Sequence, residues 1–439
     1  MNKIIKPLFA LSALTLAMQA GAAGFALNET SASAAGTAYA GRGSNAEDAS
    51  IMASNPAGIA LLERAQVTGG LGYVLPKGEF EDSNGANKQD DFLKSAVIPF
   101  GYYAAPINDQ LSWGLGIYAP FGATSDYDTD WTGRYMANKT VVEVVNIQPT
   151  IAYKFNDQLS FGASVFGSFA KGELTRSIDF SSASGTDGFS KMKGDDWGYG
   201  WSIGTIWQPT NKTSMGLSYR SKTKLTLKGD AEISNVPGAL QQVLGLTSTI
   251  TEKAKLGITL PENVELSLTH QLDDRWTVMA GANWTRWSRF KELVIVTDQD
   301  NGPISGTLGS AQGANNDPDV LTYVPENWKD VWAFSLGTSY KYSDALTLKA
   351  GYARDNSPVQ DEYRTARIPD ADRNWLTVGA KYEMAQDWTL DAAYGYMFTS
   401  KVTINEKGHN SNGTENGTTL TGEYKTTAHV VSMSVTKRF

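Results

Sequence analysis

The chain has 439 residues, a net charge of −8 and no cysteine, which excludes a disulfide framework, a thiolate metal site and a Cys nucleophile, and argues against a nucleic-acid partner. Charged residues make up 19%, against roughly 25% in ordinary soluble domains, while aromatics reach 11% and Gly numbers 43, a mixture that suits twisted sheet.

At the amino end Lys3 and Lys6 precede the apolar run 8–18, and Ala20-Gly21-Ala22 follows. That order is a secretory signal over residues 1–22, with Ala23 beginning the mature chain. The run is too short to cross a bilayer as a helix, which takes roughly 20 residues, and no later stretch approaches that length without polar interruption.

Residues 23–64 do not alternate. They are small and polar, with Gly24, Gly36, Gly41, Gly43 and Gly58 giving backbone freedom, and they end in Asn55-Pro56-Ala57-Gly58. Phe25, Leu27, Tyr39, Ile51, Met52, Ile59 and Leu61 give this stretch more apolar anchors than a disordered tail carries, so it is expected to fold as a plug inside a lumen.

From about residue 65 to 439, short polar turns alternate with long segments of period-two hydrophobicity. Phe161, Ala163, Val165 and Phe169 share one face, with Ser160, Gly162, Ser164 and Ser168 opposite. The pattern recurs at Met215, Leu217, Tyr219; at Val264, Leu266, Leu268; at Trp332, Phe334, Leu336; and at Leu346, Leu348, Ala350, Tyr352. One such strand suits a soluble sandwich equally well, but repetition along the chain points to a transmembrane antiparallel β-barrel. Strands are expected to start near 65, 92, 110, 141, 158, 193, 211, 251, 275, 327, 345, 372, 387 and 421, about 14 in all. Tight connections (Asn108-Asp109-Gln110, Asn156-Asp157-Gln158, Asp273-Asp274) mark one rim; long polar ones near 181–195, 298–320 and 406–420 mark the other. Trp113, Trp131, Trp276, Trp284, Trp287 and Trp388 fall near strand ends, where indoles favour the membrane boundary or, alternatively, a buried core. The last segment, Val431 to the terminal Phe439, alternates and ends on an aromatic, like the signal read by the barrel-insertion machinery of the outer membrane.

Taken in order, Ala23-Gly24-Phe25-Ala26-Leu27-Asn28-Glu29, Ala38-Tyr39-Ala40-Gly41, Asn55-Pro56-Ala57, Tyr219-Arg220-Ser221, Leu260-Pro261-Glu262, Ser357-Pro358-Val359 and Ile368-Pro369-Asp370-Ala371-Asp372-Arg373-Asn374-Trp375 resemble the FadL-type long-chain fatty-acid transporters of the outer membrane, a family that includes aromatic-hydrocarbon channels. The resemblance covers nearly the whole mature chain. It implies passive passage of a hydrophobic ligand: capture at an outer groove, an inner pocket, movement of the 23–64 hatch and sideways release through the wall, without a cofactor. Expected partners are long-chain fatty acids or other hydrophobic small molecules, lipopolysaccharide and outer-membrane lipid, and the insertion machinery, with the barrel acting as a monomer. Stripping a C16–C18 acyl chain into a water-filled pore costs on the order of 10 kcal/mol at about 0.8 kcal/mol per methylene, so an open porin is a poor route.

For the groove, Val236, Leu240, Val243 and Leu244 fall at helical spacing in 233–250; an ordinary loop helix packing on its barrel explains the stripe equally. Phe25 and Arg176 are candidate ligand-binding residues, Arg176 because the family places a basic residue there. The family's second basic position falls on Val324, which favours a neutral ligand unless Arg134 substitutes. For gating and the lateral exit the candidates are Asn55, Pro56 and Ala57 of the hatch and Gly116, Pro120, Phe121 and Gly122 of the wall, where Pro cannot donate to the ladder and flanking Gly weakens it. The rival reading is that Pro120 merely ends a strand. Asp370, Asp372 and Arg373 read as a wall ion-pair cluster. Asp298, Asp300, Asp317 and Asp319 lack EF-hand spacing and read as a solvated loop. His270, His409 and His429 are scattered, and no G-x-S-x-G or H-E-x-x-H occurs, so no enzyme and no metal site are expected.

Overall fold

The computed structural model describes residues 24–181, 185–309 and 317–439; the signal segment and Ala23 lie outside them. The wall is built from β1 (Gln66–Asp82), β2 (Lys88–Asp90), β3 (Ala96–Pro106), β4 (Leu111–Asp126), β5 (Lys139–Lys154), β6 (Leu159–Ile178) and β7 (Gly188–Thr210). It continues through β8 (Thr213–Arg220), β9 (Thr223–Ser234), β10 (Thr249–Leu260), β11 (Asn263–Gln271), β12 (Trp276–Thr285), β13 (Glu292–Thr297), β14 (Val320–Pro325) and β15 (Val331–Lys341). The last segments are β16 (Leu346–Asp355), β17 (Arg373–Glu383), β18 (Trp388–Thr399), β19 (Val402–His409) and β20 (Glu415–Arg438). Six consecutive pairs are collinear (β2 with β3, β8 with β9, β10 with β11, β12 with β13, β14 with β15, β18 with β19), leaving 14 wall strands. Antiparallel pairing of β1 with β20, from Gln66↔Arg438 to Asp82↔Gly422, closes the barrel.

The burial pattern is inside out relative to a soluble protein. On β6, Phe161 and Val165 are 47% and 61% exposed while Ser160, Ser164 and Ser168 are buried. On β20, Val431, Met433 and Val435 face out and Ser432, Ser434 and Thr436 face in. Apolar side chains outward and small polar ones inward are what strands need between lipid and lumen. Trp113, Trp276 and Trp388 are exposed, whereas Trp131 and Trp287 are buried, the core alternative for those two.

The tight turns have a local cause. Asn108 Oδ1 accepts from the backbone N–H groups of Gln110 and Leu111, Asn156 Oδ1 does the same for Gln158 and Leu159, and Asp273 Oδ1 for Arg275 and Trp276. Each short polar side chain thus supplies the acceptor that the reversing backbone lacks.

On the opposite rim two expected loops are largely strand. Most of 181–195 belongs to β7, and 406–420 is a hairpin whose turn lies between His409 and Glu415. Lys193 and Asp195 are exposed, as is Glu415, so a strand rising past the hydrocarbon layer reads in sequence as a polar loop. Part of the third expected loop, 310–316, lies outside the described residues.

Residues 24–64 bond to inward-facing groups around the barrel. Three short helices, capped by the side chains of Ser31, Asp48 and Asn55, use up local backbone donors. The rest reaches the wall: Tyr102 on β3 donates to Thr30 O, Gln148 on β5 to Met52 O, Ser214 on β8 to Ser44 O and Thr377 on β17 to Gly36 O, while Arg42 pairs with Glu265 on β11 at 2.9 Å. Wall glycines permit the approach: a Cβ at Gly204 would lie 2.0 Å from Asn55 Oδ1, and one at Gly216 2.0 Å from Gly43 O.

Candidate functional site

The lumen is divided by an aromatic collar. Phe25 is buried, its ring centroid 4.8 Å from Trp287, 5.7 Å from Phe290 and from Trp328, and 5.8 Å from Phe121. The residue before it has to be glycine in effect, because Gly24 has φ +65° and a Cβ there would lie 2.5 Å from the Trp328 ring. Asp370 accepts from Gly24 N–H at 2.8 Å, and Arg373 donates both to Gly24 O and to Asp370. Asp370 and Arg373 therefore tie the amino-terminal segment to the wall, while Asp372 makes a separate pair with Arg354.

Above the collar lies a small apolar pocket of about 60 Å³ whose floor is Phe25 and whose sides include Leu174, Leu225, Leu227, Phe290, Leu293 and Ile295. Met192 belongs both to this pocket and to a wider cavity of about 470 Å³ at the mouth. Arg176 lines the mouth cavity, with Nε buried and without a partner. Val324 lines it as well. The second cation there is Arg367, carried by the loop between β16 and β17 that folds into the lumen; burial, then the nearby Arg176, push its pKa down to about 10, so it stays charged at neutral pH. Glu406, buried, and the exposed Asp179 and Lys407 line the same cavity. Arg134 is not part of this cavity, because it pairs with Asp187 at 2.7 Å.

Of the stripe 236–244, Val236 is buried, Leu240 lines the mouth cavity, and Val243 is 80% exposed. The helix there, Gly238–Leu244, is short and stops at Gly245 in the left-handed conformation, so it lays one residue over the cavity and leaves Val243 uncovered.

Below the collar, β4 parts from β3. Its ladder with β3 stops at Gly101↔Ile117, and its register against β5 shifts between Tyr118↔Asn146 and Phe121↔Val144, one extra residue at Ala119-Pro120. The freed backbone bends inward onto the amino-terminal segment: Pro120 O accepts from Leu27 N–H at 2.9 Å and Gly122 N–H donates to Phe25 O at 2.8 Å. Contact with the preceding segment resumes only at Leu93↔Ser125. Between these points the β3 stretch 96–100 pairs with β1 but not with β4, leaving a window in the wall. Gly116, Pro120, Phe121 and Gly122 border it. Asn55, Pro56 and Ala57 do not: they pack on β6, β7 and β8 against Gly162, Gly204 and Gly216. The segment also touches β4 through Met52, against Gly114 and Gly116.

Residues 13–439 match the family model described as outer membrane protein transport protein (OMPP1/FadL/TodX). The chain belongs to this family. It is thus an outer-membrane β-barrel of a transporter family, not of an enzyme family. Relatives in the FadL/TodX family include a long-chain fatty acid transport protein of Escherichia coli O6:H1, 31% identical over 91% of this chain and 94% of that one, and outer membrane protein P1 of Haemophilus influenzae, 28% identical over 92% of each. Among solved structures, a FadL homologue of Pseudomonas aeruginosa superposes with TM-score 0.83 at 24% identity (95% of this chain, all of that one). The toluene transporter TodX of Pseudomonas putida superposes at 0.67 and 19% (89% and 94%). At these identities both show the FadL/TodX fold.

One buried acid of the amino-terminal segment gives a pH prediction. Burial pushes Glu29 up to about 7, against the pull of its own and the Asn28 backbone N–H and of Arg373. A carboxyl raised in the folded state stabilises fully below its ordinary pKa of 4.5 and loses that contribution as pH rises through 7. The cost above pH 7 is about 3 kcal/mol for a shift of this size. Glu29→Gln is expected to protect residues 24–64 from protease at pH 8 and to change little at pH 4; equal protection at both would refute the assignment.

Proposed function

We propose that this protein carries long-chain fatty acids across the outer membrane by passive diffusion, with residues 23–64 as the hatch and the β3–β4 window as the side exit into the bilayer. The observation that carries this reading is the window itself: an apolar pocket closed below by the Phe25 collar, beside a wall that is open where β4 turns inward. A pore for water-soluble solutes gains nothing from either feature. In the mouth cavity Arg176 and Arg367 lie near each other, with Glu406 buried and Asp179 exposed as the acids among the described lining residues, and a ligand carboxylate would give the two guanidinium groups a further partner. Relatives named as long-chain fatty acid transport proteins support the assignment.

The second reading, a neutral aromatic hydrocarbon, is favoured by Val324 in the mouth cavity and by the shared fold with a toluene transporter. Uptake of labelled oleate and of toluene by a deletion strain separates them. Arg176→Gln and Arg367→Gln are each expected to raise the oleate Kd roughly 10- to 100-fold, from about 1.5–3 kcal/mol per charged hydrogen bond, and to leave toluene alone. Oleate uptake unchanged by deleting the gene, with toluene uptake lost, would overturn the fatty-acid reading.

A further inference from the structure

Below the collar and beside the window is a third cavity, of about 140 Å³, into which Arg220 at the end of β8 projects. Its guanidinium is unevenly used. Nη2 alone donates toward three acceptors, Ala53 O at 2.8 Å, Gln148 Oε1 at 2.9 Å and the Tyr118 hydroxyl, while Nη1 is buried without a partner. Among the described residues Arg220 forms no ion pair; it stacks 4.6 Å from the Phe166 ring. The chamber's other arginine, Arg42, is engaged by Glu265 and also faces Asp355. So the chamber, lined also by Glu265 and Asp355, holds one guanidinium that forms no ion pair among the described residues and whose Nη1 is shielded from water, next to Pro120 and Phe121 at the window.

We propose that Arg220 is a receiving station for the carboxylate of a fatty acid that has passed the collar, and that binding there releases the amino-terminal segment. This rests on the fatty-acid reading above. A carboxylate is a stronger acceptor for a guanidinium than the neutral Ala53 carbonyl, because charge-assisted hydrogen bonds are roughly twice as strong as neutral ones. The incoming head group therefore replaces Ala53 O on Arg220 and occupies the idle Nη1. Tyr118 shares the same nitrogen and is the last β4 residue before the register shift, so the exchange acts on both the segment and the bent strand that borders the exit.

The test compares uptake of labelled oleate and of uncharged oleyl alcohol by a deletion strain expressing wild type, Arg220→Gln or Arg220→Lys. The oleate-to-alcohol ratio is expected to fall about tenfold in Arg220→Gln and to return within about threefold of wild type in Arg220→Lys. In wild-type protein, oleate but not oleyl alcohol should increase protease cleavage within 24–64, a readout that does not depend on any variant assembling. The proposal fails alone if wild type takes up oleate but Arg220→Gln keeps the ratio, if Lys does not restore it, or if both probes loosen the segment equally. If wild type takes up oleyl alcohol and no oleate, the fatty-acid reading fails and this station with it.

Discussion

Deleting Pro120 is expected to close the window and reduce uptake of hydrophobic ligands by roughly tenfold or more, since a bulge is what ends pairing at this edge. β4 carries one residue more than β5 between Tyr118↔Asn146 and Phe121↔Val144. With Pro120 removed, Ala119 stands opposite Val145 and the ladder runs on without a shift. The N–H lost to proline is restored to the strand, so Tyr118, Ala119, Phe121 and Gly122 can pair with β3 residues 97–100, which have no partner on that side. The change also removes the carbonyl that accepts from Leu27, so Pro120→Gly, which keeps the extra residue, is the control for a merely loosened segment. Uptake by cells, normalised to surface-exposed protein, is the measurement. Full uptake by an assembled deletion variant would show that ligand does not leave between β3 and β4.

The wall was legible because its determinants are local. Period-two alternation on β6, β11, β15, β16 and β20 needs only neighbours two residues apart, and the turns at Asn108, Asn156 and Asp273 are closed by the side chain of the turn itself. The expected strand starts fall close to the observed ones for that reason. The interior was less legible, because it is assembled from groups far apart in the chain. Arg367 gave no signal as a partner of Arg176: it sits in a stretch that reads as an ordinary long connection, and only the fold turns that loop into the lumen. Phe25 stands out in the sequence, but nothing local assigns Trp328 to its collar or chooses between membrane boundary and core for Trp287. The run Gly116 to Gly122 announced a weak place in a strand; that the broken edge is taken up by residues 25–27 follows from tertiary packing alone. Nor does the local sequence distinguish Lys349, whose side chain is almost wholly buried, from the exposed lysines of the wall strands.

Lys349 on β16 is expected to be the strongest single tether of the amino-terminal segment, and Lys349→Met to undock it. Its ammonium lies 2.6 Å from Glu47 and 3.4 Å from Asp391 on β18, and donates also to Ser33 Oγ at 2.7 Å; the Lys349 and Asp391 side chains are almost wholly buried. Burial pushes Glu47 up, but Lys349 and Lys381 pull it further down, so it is ionised. Removing Lys349 leaves two buried acids sharing the more distant Lys381, 3.6 Å from Glu47. Breaking a buried pair on one side costs about 3–5 kcal/mol, because the remaining charge stays desolvated. That is comparable with what holds a short plug in place, so the variant should show ion conductance in planar bilayers and rapid proteolysis within 24–64, while wild type shows neither. Adding Asp391→Asn removes one of the stranded acids and is expected to recover part of the loss, a coupling that unrelated damage to the barrel does not produce. If Lys349→Met stays closed and protease-resistant, the segment is held by its other ties, the Arg42–Glu265 pair and its neutral hydrogen bonds among them, and this ion cluster is incidental to it.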